Sequence, residues 1–326
     1  MNNELVIVKP QTIVNSRVNI ENELQEFFKL EDYRGETPRT YKTGIYCFLN
    51  WIKSNGIESV DKEVILKYKG YLKNKYKPRT ANTYLSGLRC LFNYLSDKGI
   101  TNIMTNIKNL RVGKGYAKLP IPIEDFIKMD ETLKNERHDE QTYRDYAIFS
   151  LSVRCMLREC EMERSNKVDI INMGSDYVLY IQGKGCDSKD EFVILEEDTL
   201  QPILDYLKIR GKDEFEPLFT SLATNYKGNR LTTRSMSSIL KNILVRFGYD
   251  SELFTGHSTR HSGATYLQNS GRVPIEKIQE VLRHKDINTT LIYTKLQNRF
   301  KNPTERVLQE VIREEKEKWN PIELYQ

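Results

Sequence analysis

Apolar residues in the first hundred positions recur three and four apart, the period of a helix with one buried face. Leu24, Phe27 and Phe28 form the first stripe, in a pattern that begins at Ile20. A second opens at Thr37-Pro38, where proline suits the first turn. It carries Tyr41, Ile45, Phe48, Leu49 and Ile52 before Gly56 stops it. Val64, Tyr68 and Leu72, spaced by four, predict a third helix between Val60 and Tyr76. Pro78 breaks it, and Thr80 or Asn82 can cap a fourth that aligns Tyr84, Leu88, Leu91, Phe92 and Leu95 ahead of Gly99. Four helices with short connections suggest a bundle. Residues 1–19 lack this period and read as a strand or a loose arm.

After position 110 the pattern changes. Residues 111–119 are basic and glycine-containing and read as a linker, and Pro120 and Pro122 mark the start of a second domain. Helices are predicted near 123–134 and 140–162. Two β-type runs follow, 177–181 and 191–195, joined by a turn that holds Gly183-Lys184-Gly185, which predicts a hairpin. Helical periods then return at about 198–210, 232–247, 258–270, 274–284 and 288–297, with a charged helix over 302–318 ahead of Trp319-Asn320-Pro321. The expected fold is mainly α with a small β-sheet: a helical bundle over 20–110, a mixed α/β domain over 120–300 and a tail over 301–326.

Composition narrows the function. The chain has 326 residues, 39% hydrophobic and 29% charged, which suits a globular protein of two domains. No apolar run approaches the roughly 18 residues of a membrane span, and no leader pattern is visible. Five cysteines, Cys47, Cys90, Cys155, Cys160 and Cys186, are odd in number and contain no CxxC pair. That argues for a reducing cytoplasm and against a disulfide framework or zinc knuckle; they read as small buried apolar groups. With four histidines and no HExxH, a metal centre has little support.

Charge adds a partner. The net charge is only +5, yet residues 61–120 hold 13 Lys and Arg against Asp61, Glu63 and Asp97, a local balance of +10. Such a segment is an electrostatic footprint for a polyanion, although a lysine-rich helix face is often merely solvated. Here Tyr68, Tyr71, Tyr76, Thr80, Thr83 and Tyr84 are interleaved with Lys73, Lys75, Lys77 and Arg79. Hydroxyl, basic and aromatic side chains together serve phosphate and sugar contacts. Lys73, Lys75, Lys77, Arg79, Thr80, Thr83 and the linker's Lys114 are the candidate contacts to DNA or RNA.

Three of the four histidines fall within 28 residues, His257, His261 and His284, with Arg260 between the first two and Tyr293 beyond the last. Arginine presents a rigid fork that matches a pair of phosphate oxygens. Histidine exchanges a proton near neutral pH. A phenol with a pKa of about 10 needs such neighbours to become a nucleophile. A lone HxxR is more often a surface or core histidine than a site. With the tyrosine, the cluster points to phosphoryl transfer through a covalent tyrosine.

The chain resembles the tyrosine recombinase family, the phage integrase-like or Xer-like recombinases, in five elements in order. The family's arginine box resembles Cys155-Met156-Leu157-Arg158 with Glu161, and its hairpin resembles Gly183-Lys184-Gly185. The His-x-x-Arg-His box stands as His257, Arg260 and His261, the late Leu-Gly-His box as Leu282-Arg283-His284, and the nucleophile motif as Thr289-Thr290-Leu291-Ile292-Tyr293. Met156, Thr259 and Arg283 depart from the family's glycine, leucine and glycine, and a longer hairpin turn brings Lys189 into competition with Lys184.

This resemblance implies a core-binding bundle, a catalytic domain and a tail helix that docks on a neighbouring protomer, with Val307, Val311 and Ile312 as its apolar face. It implies that Tyr293 attacks the scissile phosphate, Arg158 and Arg260 clamp its oxygens, and Lys184 protonates the leaving 5′-oxygen. His257 would accept the tyrosine proton and His284 would donate to the phosphate. Glu161 is expected to position other site residues, and His261, Tyr180 and Tyr266 to pack. No metal, nucleotide or other cofactor is implied. The partners implied are a double-stranded recombination site and three further copies in a synaptic tetramer, for a bacterial or phage-encoded, nucleoid-associated protein of the cytoplasm acting as an integrase, a resolvase or a Xer-like recombinase. A type IB topoisomerase-like enzyme and a DNA-binding protein that has lost catalysis are the alternatives.

Overall fold

Each helical stripe of the first hundred residues becomes a helix in the computed structural model, which describes residues 20–30, 37–113, 118–183, 185–211, 213–214, 216–284 and 304–318. The chain divides into two units, Met1–Gly115 and Tyr116–Gln326. The expectations for 1–19, for a helix at 288–297 and for a stop at 319–321 lie outside the described residues, as do Lys114, Lys184 and Tyr293.

In the first unit, α1 (Ile20–Leu30), α2 (Thr37–Ser54), α3 (Lys62–Lys75) and α4 (Pro78–Asp97) surround one core. Leu24, Phe27, Ile45, Phe48, Ile52, Leu88, Leu91, Phe92 and Leu95 are buried, as their stripes predict. Burying each such side chain contributes about 1.5–3 kcal/mol. The α3 stripe is turned by one residue: Ile65 is buried with Tyr68 and Leu72, while Val64 is half-buried. Asp61 caps α3, its carboxylate accepting from Val64 N at 2.8 Å.

Neither Thr80 nor Asn82 caps α4. Lys77 holds the cap position with no side-chain hydrogen bond to the cap, and Pro78, whose φ is already helical, starts the helix. Asn82 instead accepts from Leu110 N at 2.7 Å and donates to Leu110 O at 2.9 Å, tying the end of the unit to α4. Two glycines bring α2 and α4 together. A Cβ on Gly44 would lie 2.8 Å from Tyr84 Cα, and one on Gly87 would lie 3.1 Å from Tyr41 Cα.

The second unit is built around α6 (Glu140–Arg154), whose residues from Tyr146 to Val153 are all buried. A helix apolar on every side is the middle of a core. Around it pack α5 (Ile123–Asn135), α8 (Glu197–Arg210), α9 (Thr233–Arg246) and α10 (Gly256–Ser270). An antiparallel sheet, β1 (Ile170–Asn172), β2 (Tyr177–Ile181) and β3 (Glu191–Leu195), lies in that order, with Tyr177 opposite Leu195 and Ile181 opposite Glu191. β1 is not apparent in the sequence, because three residues are too few to show alternation.

The helix expected over 140–162 is broken. After Arg154 the chain turns through Met156, at φ 50, and α7 (Glu159–Arg164) restarts at Glu159. That turn points the Met156 carbonyl at Arg260 and Arg283, which both donate to it. The unit continues with α11 (Ile275–Leu282), and α12 (Thr304–Lys318) follows. Of the cysteines, Cys155 is buried as expected, whereas Cys186 is exposed beside the hairpin turn. Among the described residues no helix is long and apolar enough to cross a membrane.

Candidate active site

Three helix ends converge on one carboxylate. The break after α6 leaves Arg158 at the cap of α7, whose backbone N–H donates to Glu161 Oε2 at 2.8 Å while its guanidinium donates to Glu161 Oε1 at 2.7 Å. From the first two turns of α10, Arg260 approaches Glu161 Oε2 to 3.5 Å and donates to the carbonyls of Met156 and Leu282. Past the end of α11, Arg283 donates to both Glu161 oxygens, at 3.2 and 2.8 Å. Arg158 also donates to Leu282 O at 3.2 Å and to Arg283 O at 3.3 Å.

Glu161 is fully buried, and Arg260 is 1% exposed. Burial pushes the Glu161 carboxyl up, yet the Arg283 charge and hydrogen bonds, then Arg260, hold it below the usual range. Three guanidinium charges against one carboxylate leave the cluster at +2. A buried cationic cluster with forked donors is suited to an anion such as a phosphoryl group.

The histidines sit at its edge. His257, at the N-terminus of α10, has a side chain 42% exposed, with Nδ1 3.9 Å from Glu159 Oε2. Its ring meets that of His261 edge-on at 4.7 Å. Burial, reinforced by His257, Arg260 and His284, pushes His261 down to about 3. His284 follows Arg283 and is held through its backbone: its N–H donates to Gln279 O at 3.1 Å, and its carbonyl accepts from Gln279 Nε2 at 2.9 Å. Burial, then Arg260 and Arg158, pushes His284 down to about 4, so it is neutral at pH 7 and can offer an N–H.

The structure thus brings Arg158, Glu161, His257, Arg260, His261 and His284 to one place. Lys184 and Tyr293 lie outside the described residues. Lys189, its rival in the hairpin, is committed to an ion pair with Asp169. Tyr266 packs as expected, its hydroxyl donating to Ile121 O at 2.8 Å, and the Tyr180 ring meets that of Phe192 across the sheet at a tilt of 54°, centroids 5.8 Å apart. Two further neighbours carry little signal in the sequence. Arg283 stands out there only as a departure from a pattern, because nothing in sequence reveals that its guanidinium folds back 122 positions to Glu161. Glu159 gives no signal beyond adjacency to Arg158. Burial pushes its carboxyl up, but His257 and its own backbone N–H bring it below the usual range. Among the described residues no group of His, Cys, Asp and Glu is arranged to hold a metal ion.

The described candidate DNA contacts lie in the first unit. Lys73, Lys75, Lys77, Arg79 and Thr80 are exposed around the junction of α3 and α4, and Thr83 is half-buried with its hydroxyl donating to Arg79 O at 2.9 Å. Lys75 donates to Tyr71 Oη at 2.7 Å and lies over the Tyr71 and Tyr76 rings. Beside it runs an open groove of about 890 Å³ lined by basic and aromatic side chains, among them Arg39, Lys42, Tyr46 and Tyr84.

Comparison with known proteins gives the same picture. The phage integrase family model matches residues 123–299, and that of the phage integrase N-terminal SAM-like domain matches residues 20–102. Tyrosine recombinase XerC of Caldanaerobacter subterraneus subsp. tengcongensis is 31% identical over 151 residues, 46% of this chain and 41% of that protein. XerC of Histophilus somni is 32% identical over 173 residues, 53% of this chain and 56% of that protein. The chain therefore spans about half the length of these curated relatives. Among solved structures, the XerH site-specific recombinase bound to a palindromic difH substrate superimposes with a TM-score of 0.68 at 19% identity, covering 91% of this chain and 92% of that one. The Tn1549 transposon integrase in complex with transposon right end DNA gives 0.61 at 17% identity, covering 84% and 93%. At those identities the likeness is one of fold.

Proposed function

We propose that this chain, which belongs to the phage integrase family, is a site-specific DNA recombinase that cuts and rejoins strands through a 3′-phosphotyrosyl intermediate. The observation that carries the reading is the convergence of Arg158 and Arg260, with His257 and His284 beside them, on one buried carboxylate. Tyr293 is the nucleophile: its oxygen forms the bond to phosphorus as the bond to the 5′-oxygen breaks. His257, its side chain 42% exposed and steadied by Glu159, takes the phenol proton. Lys184 gives a proton to the departing 5′-oxygen. Arg158 and Arg260 hold the nonbridging oxygens as charge builds on them, and one preorganised donor of this kind is worth about 3 kcal/mol of barrier. His284, neutral before DNA arrives, donates an N–H to the same phosphate. The 5′-hydroxyl of a partner strand reverses the step and releases Tyr293.

The basic junction of α3 and α4, with Lys114, binds the flanking duplex. Four protomers on two sites form the working assembly. The exposed stripe of Val307, Val311 and Ile312 on α12 is the surface by which one protomer grips the next. Relatives whose names specify recombinases, and folds shared with a site-specific recombinase and a transposon integrase, support recombination over simple relaxation of DNA.

The test uses a duplex nicked just beyond the cleavage point, so that the short 5′-hydroxyl strand diffuses away and the covalent complex accumulates. The wild-type chain yields a protein–DNA band on denaturing electrophoresis, and Tyr293→Phe yields none while binding the duplex with nearly unchanged affinity. A covalent band from the Phe variant would assign the nucleophile elsewhere.

A further inference from the structure

Arg283 occupies a backbone conformation that arginine rarely adopts. Its φ of 53°, in the left-handed region, is one that glycine enters at no cost and other residues enter only under strain. Its side chain is only 8% exposed and directs Nε and Nη2 into the site. Nε and Nη2 reach both Glu161 oxygens, Nη2 reaches Met156 O at 3.2 Å, and Nη1 reaches Val281 O at 2.7 Å. Glu191, 53% exposed, lies 3.8 Å from Nε at the outer side. A strained residue persists where the surroundings hold it, and such strain collects at functional positions.

We infer that Arg283 is a positioning residue which neutralises Glu161, so that Arg158 and Arg260 keep their charge available to the scissile phosphate while His284 stays fixed beside them. The inference rests on the recombinase reading. Glu161 can accept from all three guanidinium groups but carries one charge. Without Arg283 that charge falls on the two remaining arginines alone. The cluster drops from +2 to +1, and the Arg158 and Arg260 donors are drawn toward the carboxylate and away from DNA. Arg283 is also the largest single influence holding the Glu161 carboxyl ionised against burial. The same residue forms the turn that ends α11, so one side chain sets both the balance of charge and the place where His284 begins.

Two physical effects oppose each other in Arg283→Gly, which makes the variant informative. Glycine relieves the backbone, and losing the guanidinium uncovers Glu161. The experiment compares the wild type, Arg283→Gly, Glu161→Gln and the double variant. The substrate is a nicked duplex bearing the site the chain selects from random duplexes, read as the single-turnover rate of covalent complex at saturating protein and as the dissociation constant. Arg283→Gly should slow covalent-complex formation by about ten-fold or more with the dissociation constant changed by no more than about two-fold. Because Glu161→Gln returns the double variant to +2, it should recover much of that loss, an effect that a purely structural role for Arg283 does not produce. An Arg283→Gly rate equal to or above that of the wild type overturns the inference, as does a double variant no faster than Arg283→Gly. Thermal melting supplies a readout free of catalysis: Glu161→Gln should destabilise the Arg283→Gly chain less than it destabilises the wild type, and equal losses would also overturn the inference. If the wild type itself forms no covalent complex on any selected site, the recombinase reading fails, and the melting cycle still decides whether Arg283 and Glu161 are coupled.

Discussion

Gly263 lies midway along α10, three residues past Arg260, and its missing Cβ is filled from the other side. A Cβ built there would overlap the carbonyl oxygen of Val153 and lie 2.7 Å from Met156 Cγ. The sulfur-bearing chain could yield, but the carbonyl belongs to the last turn of α6, the most buried helix of the unit. Gly263→Ala must therefore push α10 away from α6. Overpacking of this kind costs about 1–3 kcal/mol and occasionally more, against a gain of up to about 1 kcal/mol from replacing glycine inside a helix. With a backbone carbonyl so close, the cost falls at the upper end of that range, and the net loss of about 2 kcal/mol lowers the melting temperature by roughly 4–8 °C for a unit of this size. The shift also carries Arg260 away from Met156 O, and a misplacement of about 1 Å can cost about 100-fold in rate. Gly271→Ala is the control. Gly271 has φ 65 but nothing within 4 Å of a Cβ, so it should lose about 1 kcal/mol through its backbone alone and leave covalent-complex formation unchanged. Calorimetric melts and single-turnover cleavage of the two variants decide the matter. A Gly263→Ala chain that melts at or above the wild type would refute the claim that the Val153 carbonyl fixes how closely α10 approaches.

Replacing Lys73, Lys75, Lys77 and Arg79 by glutamine should flatten the salt dependence of DNA binding, by about 0.9 in the log–log slope for each phosphate left without its cation; an unchanged slope would leave these charges as a solvated face. Deleting 302–326 should spare binding to one site and abolish pairing of two, read on native gels; a truncated chain that still pairs and recombines two sites would remove α12 from the assembly. His261 accepts a proton near 6.5 in the unfolded chain but only at about 3 when folded. Its contribution to stability is therefore present above pH 6.5 and is lost as pH falls toward 3, at no more than about 1.4 kcal/mol per pH unit. His261→Gln should flatten urea-measured stability between pH 6.5 and 5, above the range where carboxylates titrate; an unaltered slope would mean that the imidazole is not shielded.

What could be read in advance follows the range of the physics involved. Stripes such as Ile45, Phe48 and Ile52 declare a buried face because the helical period is local, and β2 and β3 declare themselves through five-residue runs. The one-residue turn of the α3 stripe toward Ile65 depends on how α3 meets α2 and α4, which no local period encodes. Residues 140–162 look continuously helical because apolar residues dominate the stretch from Tyr146 to Leu157. The break comes from Arg260 and Arg283, more than a hundred positions away, which claim the Met156 carbonyl. The gathering of Arg158, His257, Arg260 and His284 in one cluster was legible as residue types at characteristic spacings, because few side chains suit an anion. The shared carboxylate is different. Glu161 was visible as a neighbour of Arg158 one turn away, whereas its pairing with Arg283 exists only after folding.

The three arginines around Glu161 have a consequence for the newly made chain. Arg158 follows the end of the central helix α6, Arg260 lies in α10, and Arg283 ends α11, so the cluster gathers contributions separated by up to 125 positions. No stretch of nascent polypeptide holds it, and a partly folded intermediate in which α10 or α11 has yet to dock lacks the full set of anion-binding groups. Local opening of such a unit exposes its least stable segments first, and undocking any one of the three disperses the charge at once. The anion-binding cluster is thus acquired as a whole and lost as a whole. Under the proposed recombinase reading, that ordering would keep immature or damaged copies from nicking duplex.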